Sequence, residues 1–473
     1  MRINLHVIVI GAGLTGSFFL KEMIAYLHMK QENLIRTDIT VFDPGSIGKE
    51  DLGAVYIRED LGQNRAILLS ELLKEQYDYE VTAVPGDFSV GSPVLQISKR
   101  DYVFMVDCSD GSIPGDYRTE WKKLSAKRKL YLKFADAKLY LDDGSGTEPF
   151  FSNTEEKSED FVWKHLERMF LVNLAMSKIV AVYEEGQIEC GTFCVNEKMA
   201  QIRPQHHNDQ KLDLPMGRKP TEVFHYQLVV VGTGGTGSYY LKELGAILSS
   251  LTKEERNSYA LSIIDGDRVE QKNLDRQNFL KEDVGQHKAM VLAQALRDHY
   301  GIEVRAYPMY IDSAEQLKVV FKQMTGTYYR RTVPILIGSV DNHRARQEME
   351  KWFRQTPTGI WIDAANEFHT GEVVAAVKKN GKMLSPSRPY YFPEIMRSRE
   401  KRASELSCGV INQSSPQHRF TNMAAAMLAL SATLGILRNG FLPYKIVYFD
   451  VFKGNAIPVN AGAERGIFFE DSE

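Results

Sequence analysis

Cysteine is scarce in this chain: four among 473 residues, at Cys108, Cys190, Cys194 and Cys408. So few exclude a disulfide framework and make a reducing compartment, the cytoplasm, the expected location. No uninterrupted apolar run approaches the ~18 residues of a membrane span, so no membrane is expected as a partner. The apolar part of "MRINLHVIVIGAG" is too short for a signal peptide and reads as a buried strand. Charge of one sign is not in excess either. The net charge is −3, which gives no global attraction to nucleic acid. Cys190 and Cys194 lack a second pair, which argues against zinc; strand alternation puts both on one face, where core packing accounts for them. Cys108 reads as buried sulfur after a strand.

What the chain does contain is one unit written twice. The segment "VIVIGAGLTGSFFLKE" from Val7 returns as "LVVVGTGGTGSYYLKE" from Leu228. The order is then kept: "DITVFDPGSI" faces "LSIIDGDRVE", and "VFMVDCSDG" faces "ILIGSVDN". Asp43 thus stands opposite Asp265, and Asp110 opposite Asp341. The expected domains are 1–204 and 223–473, joined by a polar, proline-bearing linker at 205–222. In the second copy, strands at 226–231, 259–264, 303–308, 333–338 and 359–363 alternate with helices at 236–250, 285–300, 312–324 and 343–355. The pattern predicts an α/β fold: a tandem pair of Rossmann-like domains, each a mainly parallel sheet flanked by helices. A long segment, 384–416, separates a strand at 372–378 from a helix at 418–437. Loops of that length inside a domain are commonly functional. Its basic run, 397–402, reads on its own as a solvated face.

The second copy carries the chemistry. Gly232, Gly234, Gly235 and Gly237 follow a strand and open a helix, where the backbone can approach a phosphate and the helix N-terminus favours negative charge. Alone this fits NAD, FAD or ATP, or a tight turn with no ligand. Asp265 ends the next strand, where a carboxylate can accept from ribose hydroxyls. Just beyond come Asp267, Asn273, Arg276, Gln277 and Lys288. Two cations and two amides beside a ribose carboxylate suit a triphosphate better than a nicotinamide. Asp341 and Asn342 end another strand; Asp341 can hold Mg²⁺ against phosphate oxygens, and the pair also reads as an N-cap for the helix from residue 343.

The ordered set "GTGGTG … DGDRVEQKNLDRQ … DVGQHK … SVDN … IDAANEFHTGEV" resembles the ThiF/MoeB/ubiquitin-activating-enzyme superfamily over most of 223–460. The resemblance implies that Asp265 binds the ATP ribose, that Asn273, Arg276 and Lys288 hold the phosphates, and that Asp341 organises Mg²⁺. It implies adenylation of the C-terminal carboxylate of a ubiquitin-like protein. Cys408, in the long segment and without a counterpart in the first copy, would take the acyl group as a thioester and pass it to a conjugating-enzyme-like protein. In the first copy Arg276 faces Ala54, Asn273 faces Asp51, Asp267 faces Gly45, Asn342 faces Gly111 and Lys288 faces Arg65. That copy therefore reads as an adenylation fold with its nucleotide chemistry removed. The pairing is similar to the fused activating enzymes of bacterial ubiquitin-like conjugation (antiphage) operons. The alternatives are a ThiF/MoeB-like adenylyltransferase for a sulfur-carrier protein or other carboxylate without thioester relay, an NAD- or FAD-dependent oxidoreductase, and a non-catalytic scaffold of two binding modules. Homodimerisation is left open.

Overall fold

Apolar runs with no polar alternation form strands covered on both faces. In the computed structural model, Val7 through Ile10 and Leu228 through Val230 are wholly shielded from solvent. The structure describes residues 4–29, 36–52, 55–109, 117–135, 137–143, 161–185, 191–196, 201–204, 224–251, 258–274, 277, 279–324, 332–401, 418–439 and 442–459. The chain divides into two compact units: Met1–Asn196 with Ile202–Asp209, and Glu197–Gln201 with Gln210–Glu473.

The N-terminal unit runs β1 (Asn4–Ile10), α1 (Leu14–Met29), β2 (Arg36–Phe42), α2 (Arg65–Tyr77), β3 (Thr82–Val84), β4 (Tyr102–Asp107), α3 (Tyr117–Lys123), β5 (Arg128–Ala135), β6 (Lys138–Asp142), α4 (Phe161–Glu185) and β7 (Gly191–Asn196). Its sheet is parallel through β3-β2-β1-β4-β5 and turns antiparallel at β6 and β7. Cys108 is buried just past β4 and Cys194 is half-buried on β7; Cys190 lies outside the described residues. A short strand, β8 (Gln201–Pro204), follows.

The C-terminal unit repeats the plan with β9 (His225–Val231), α5 (Gly235–Ser250), β10 (Tyr259–Ile264), α6 (Lys288–Tyr300), β11 (Val304–Tyr307), α7 (Ala314–Gln323), β12 (Thr332–Gly338), α8 (His343–Gln355) and β13 (Gly359–Asn366). Strands β11-β10-β9-β12-β13 are parallel. An antiparallel extension is added by β14 (Thr370–Lys379), β15 (Lys382–Ser385), β16 (Ile446–Asp450) and β17 (Asn455–Val459). Two short helices, α9 (Arg388–Tyr391) and α10 (Glu394–Arg397), precede the long α11 (Arg419–Asn439).

Apolar on every side, α11 must be a core helix or a membrane span. Its most apolar 18 residues, within Arg419–Arg438, have mean hydropathy 1.6 and are all buried. It packs on α5, where Tyr240 and Thr433 hydroxyls meet at 2.9 Å. The core on the other face of the sheet includes Leu317, Val320, Phe321, Leu336, Met349, Trp352 and Phe353.

The structure differs from the sequence expectations at three places. The helix expected from residue 285 starts at Lys288, because Gly285 takes φ +89° and His287 is the N-cap. The 384–416 segment is partly regular, containing α9 and α10. The antiparallel β15, β16 and β17 went unforeseen, since each is only four or five residues long.

One helix tests this core directly. Leu317 is fully buried and Val319 is 48% exposed, both on α7. In urea denaturation Leu317→Ala is expected to cost about 2–5 kcal/mol and Val319→Ala to stay within about 0.5 kcal/mol.

Candidate functional site

Where β9 ends, the chain reverses into α5 through a turn that only glycine permits at its first position. Gly232 has φ +87°, and a β-carbon there would meet the Ser339 carbonyl at 2.6 Å. A β-carbon on Gly237 would lie 2.0 Å from the Gly232 carbonyl oxygen, so helix and strand approach too closely for a side chain. Gly234 is different: the nearest atom is Gln277 Nε2, 3.6 Å from such a β-carbon. The protein's own packing does not demand glycine there, and its presence leaves that side of the turn uncovered. Gly235, the first residue of α5, is covered by the Asn422 side chain.

Asp265 clamps this turn from the end of β10. Its Oδ2 accepts from the Thr233 amide at 2.6 Å and the Thr233 hydroxyl at 2.8 Å. Its Oδ1 accepts from the Asp267 amide at 2.8 Å. Three of a carboxylate's roughly four acceptor positions are thus used. Desolvation pushes its pKa up, against the pull of Lys288, and Asp267 raises it further.

Asp267 faces the same space. Lys288 Nζ lies 3.0 Å from its Oδ2, and the Tyr310 hydroxyl donates to its Oδ1 at 2.6 Å. Desolvation raises this carboxyl too, but Lys288 and the Tyr310 hydroxyl outweigh it and hold its pKa below the usual value. Lys288 gets there because it is the first residue of α6, and its side chain is only 7% exposed. Asn273, buried on a short 3-10 turn, accepts the Glu270 amide on Oδ1 at 2.8 Å. Gln277 is buried beside it, with Oε1 lacking a hydrogen-bond partner among the described residues.

The structure thus brings together Gly232, Gly234, Gly235, Gly237, Asp265, Asp267, Asn273, Gln277 and Lys288. Arg276 and Cys408 lie outside the described residues. Asp341 is exposed just past β12. Asn342 is the N-cap of α8: its Oδ1 accepts from the Arg344 and Ala345 amides at 2.8 and 3.2 Å, and its Nδ2 donates to the Lys401 carbonyl at 3.1 Å. Among the described residues no group of three or more His, Cys, Asp and Glu side chains is arranged to hold a metal ion.

Two features escaped the sequence. Tyr310 follows β11, and no motif marks it. The other is a buried charge cluster. Asp363 on β13 pairs with Arg346 at 3.0 Å and Arg388 at 3.2 Å, and Arg388 also pairs with Glu372 on β14. Arg388 begins α9, so the cluster fixes the start of the 384–416 segment. Gln347 Nε2 donates to the Ile395 and Ser398 carbonyls at 2.8 and 2.9 Å, and the His343 amide donates to Glu400 at 2.8 Å. The segment as far as Lys401 is therefore fastened to α8, whose first turn adjoins Asp341. The sequence trace is Asp363 inside the otherwise apolar β13.

An open α/β sheet with a glycine turn, a carboxylate clamp and a paired lysine beyond its strand ends defines a nucleotide-binding class of fold. The model of the ThiF family matches residues 217–455, just over half of the chain, and the chain belongs to that family. Similar solved structures include E. coli MccB with succinimide, at 17% identity and TM-score 0.34, covering 51% of this chain and 65% of that one. E. coli MccB with ATP is similar at 18% identity and TM-score 0.33, covering 50% and 64%. The chain thus spans less than two thirds of the length of these structures. No curated protein matches it.

Removing Lys288 would leave two neighbouring carboxylates without their cation. Their folded-state pKa values would rise, so the penalty is present above those values and is relieved as pH falls through them. Lys288→Met is expected to lose about 1–3 kcal/mol at neutral pH, the buried-pair scale reduced for the partial exposure of Asp267. The loss should shrink on acidification in parallel denaturation curves; a pH-independent loss would contradict the geometry.

Proposed function

We propose that the C-terminal unit is an ATP-dependent adenylating enzyme acting on the C-terminal carboxylate of a ubiquitin-like protein, with Cys408 receiving the acyl group. The observation that carries this reading is the gathering of Asp265, Asp267, Asn273, Gln277 and Lys288 around the N-terminus of α5, within a unit of the ThiF family. The glycine turn and helix end suit phosphate. Asp265 has an acceptor position left for a ribose hydroxyl. Lys288 and Arg276 supply the positive charge for a triphosphate, which a nicotinamide does not need.

The reaction follows from that placement. A carboxylate oxygen of the carrier attacks the α-phosphorus of ATP, and the bond to the pyrophosphate oxygen breaks. Charge that grows on the leaving pyrophosphate is stabilised by Lys288, Arg276 and the amides of the turn. The exposed Asp341 carboxylate fits a Mg²⁺ ion shared with substrate phosphates, the usual binding mode of that ion. Mg²⁺, when bound, neutralises part of the phosphate charge. The Cys408 thiolate then attacks the acyl carbon, the bond to AMP breaks, and a thioester remains. Its onward acceptor is a conjugating-enzyme-like protein. Two such units in one chain, one without the cationic set, favour the fused activating enzymes of bacterial conjugation operons, working in a reducing cytoplasm.

Exchange of labelled pyrophosphate into ATP, dependent on a carrier with a free C-terminal carboxylate, is the expected activity. Arg276→Ala is expected to lower that exchange by at least about 100-fold, the usual scale for a charge that stabilises a transition state. Absence of exchange with every carrier tested, alongside hydride transfer, would overturn the reading. Cys408→Ala should keep the exchange and lose a thiol-labile carrier adduct seen on denaturing gels. An adduct that survives the substitution would reject Cys408 and leave adenylation without a relay.

A further inference from the structure

The N-terminal unit builds its strand-to-helix turn as the C-terminal unit does. The Ala12 amide donates to Asp43 Oδ2 at 2.6 Å, as Thr233 does to Asp265, and the Gly45 amide donates to Asp43 Oδ1 at 2.7 Å. Gly11 takes φ +90°, matching Gly232. The next turn also corresponds: the Gly48 amide donates to Asp51 Oδ2 at 2.9 Å, as Glu270 does to Asn273 Oδ1 at 2.8 Å. With those bonds matched, the side chain at this second turn differs in one terminal atom. Asn273 has an amide nitrogen, a donor, where Asp51 has a second carboxylate oxygen, an acceptor.

That oxygen lies against the glycine turn. Asp51 Oδ1 is 2.9 Å from where a β-carbon on Gly13 would stand, and Asp51 is 3% exposed. Arg65, the counterpart of Lys288 at the start of α2, is turned onto the same carboxylate. Its Nε donates to Asp51 Oδ2 at 2.8 Å, with Asp43 at 3.7 Å and Glu50 at 3.8 Å. It crosses Gly45, the position that carries Asp267 in the other unit; a β-carbon there would meet Arg65 Nη1 at 2.9 Å. Tyr56 closes the arrangement by donating to the Ala12 carbonyl at 2.7 Å.

We propose that Asp51 is a built-in anion: its carboxylate occupies the phosphate cradle of the N-terminal unit, neutralises Arg65 and closes that cradle to phosphorylated ligands. The side chain ties the 48–51 turn to α2 and fills the space beside Gly13. The inference rests on the matched geometry of the two units and not on the adenylation reading.

Inorganic pyrophosphate is the probe, with the full-length chain, equilibrium dialysis and thermal melting as readouts. Asp51→Asn installs the amide that the C-terminal unit carries. It should lower the melting temperature by a few degrees in buffer and regain the loss in pyrophosphate. It should also bind one more equivalent of pyrophosphate than the unsubstituted chain, at that site about tenfold or more tighter, the scale of one relieved charge contact. Asp51→Asn combined with Arg65→Gln should remove the gain. Because the comparison counts added sites, the C-terminal unit's own affinity for pyrophosphate does not enter. The proposal fails if neither Asp51→Asn nor Asp51→Ala gains an Arg65-dependent site. It fails equally if the unsubstituted chain already has that site, or if the variants stay unfolded in pyrophosphate.

Discussion

A carboxylate at the end of a strand, accepting a backbone amide from the glycine turn beside it, is the constraint on which both units are built. The Asp43 and Asp265 contacts have the same length, 2.6 Å, to the Ala12 and Thr233 amides. A charge-assisted bond of that kind is stronger than one between neutral groups. It joins the start of a helix to the neighbouring strand of the sheet. The glycine turn then has one conformation, and the helix N-terminus points at one place beyond the sheet. Every other polar group at the site takes its position relative to that fixed corner: the 3-10 turn that follows, and the cation at the head of the next helix.

From that shared corner the units diverge by charge bookkeeping alone. In the C-terminal unit Asp267 is satisfied from two sides, by the Tyr310 hydroxyl and by Lys288. Lys288 is held by a single carboxylate oxygen, and Asn273 keeps an amide nitrogen as donor. In the N-terminal unit the counterpart of Asp267 is a glycine, so Arg65 has no such partner and reaches Asp51 instead. The same backbone thus offers a donor set on one side of the chain and a closed ion pair on the other. Fold therefore says little about what each unit binds; the side chains at three matched positions are where the two differ.

Much of this was legible in the sequence because the repeat doubles the information. Two glycine turns preceded by apolar runs fix where β1 and β9 end, and the preserved order of the segments after them, with small insertions, assigns Asp265, Asn273 and Lys288 their counterparts. The Asn-to-Asp exchange at position 51 is visible in the aligned repeats. Its pairing with Arg65 is not, because a cation that faces a cation in an alignment looks preserved. Tyr310 could not be read either: it acts through a turn after a four-residue strand, with no motif around it. Asn342 was legible as both a cap and a ligand, and its hydrogen bonds show the cap. The buried partners of Asp363 were hidden because ion pairs between α8, α9 and β13 follow from tertiary packing, not from periodicity.

The 384–416 segment joins these themes. Burying two arginines with two carboxylates costs desolvation, and such a cluster is weak evidence for stability alone. What it does supply is position. Arg388 is held by Asp363 and Glu372, and Lys401 by the cap of α8, so the chain is fixed up to that point. It is fixed again at Thr421, which donates to the Phe368 carbonyl at 2.6 Å. Cys408 follows Lys401 by seven positions in the sequence. Under the relay proposed above, a tether whose near end is held in place is what the segment has to provide. The cap of α8 supplies that end at Lys401, and the charge cluster fixes the start of the segment at Arg388.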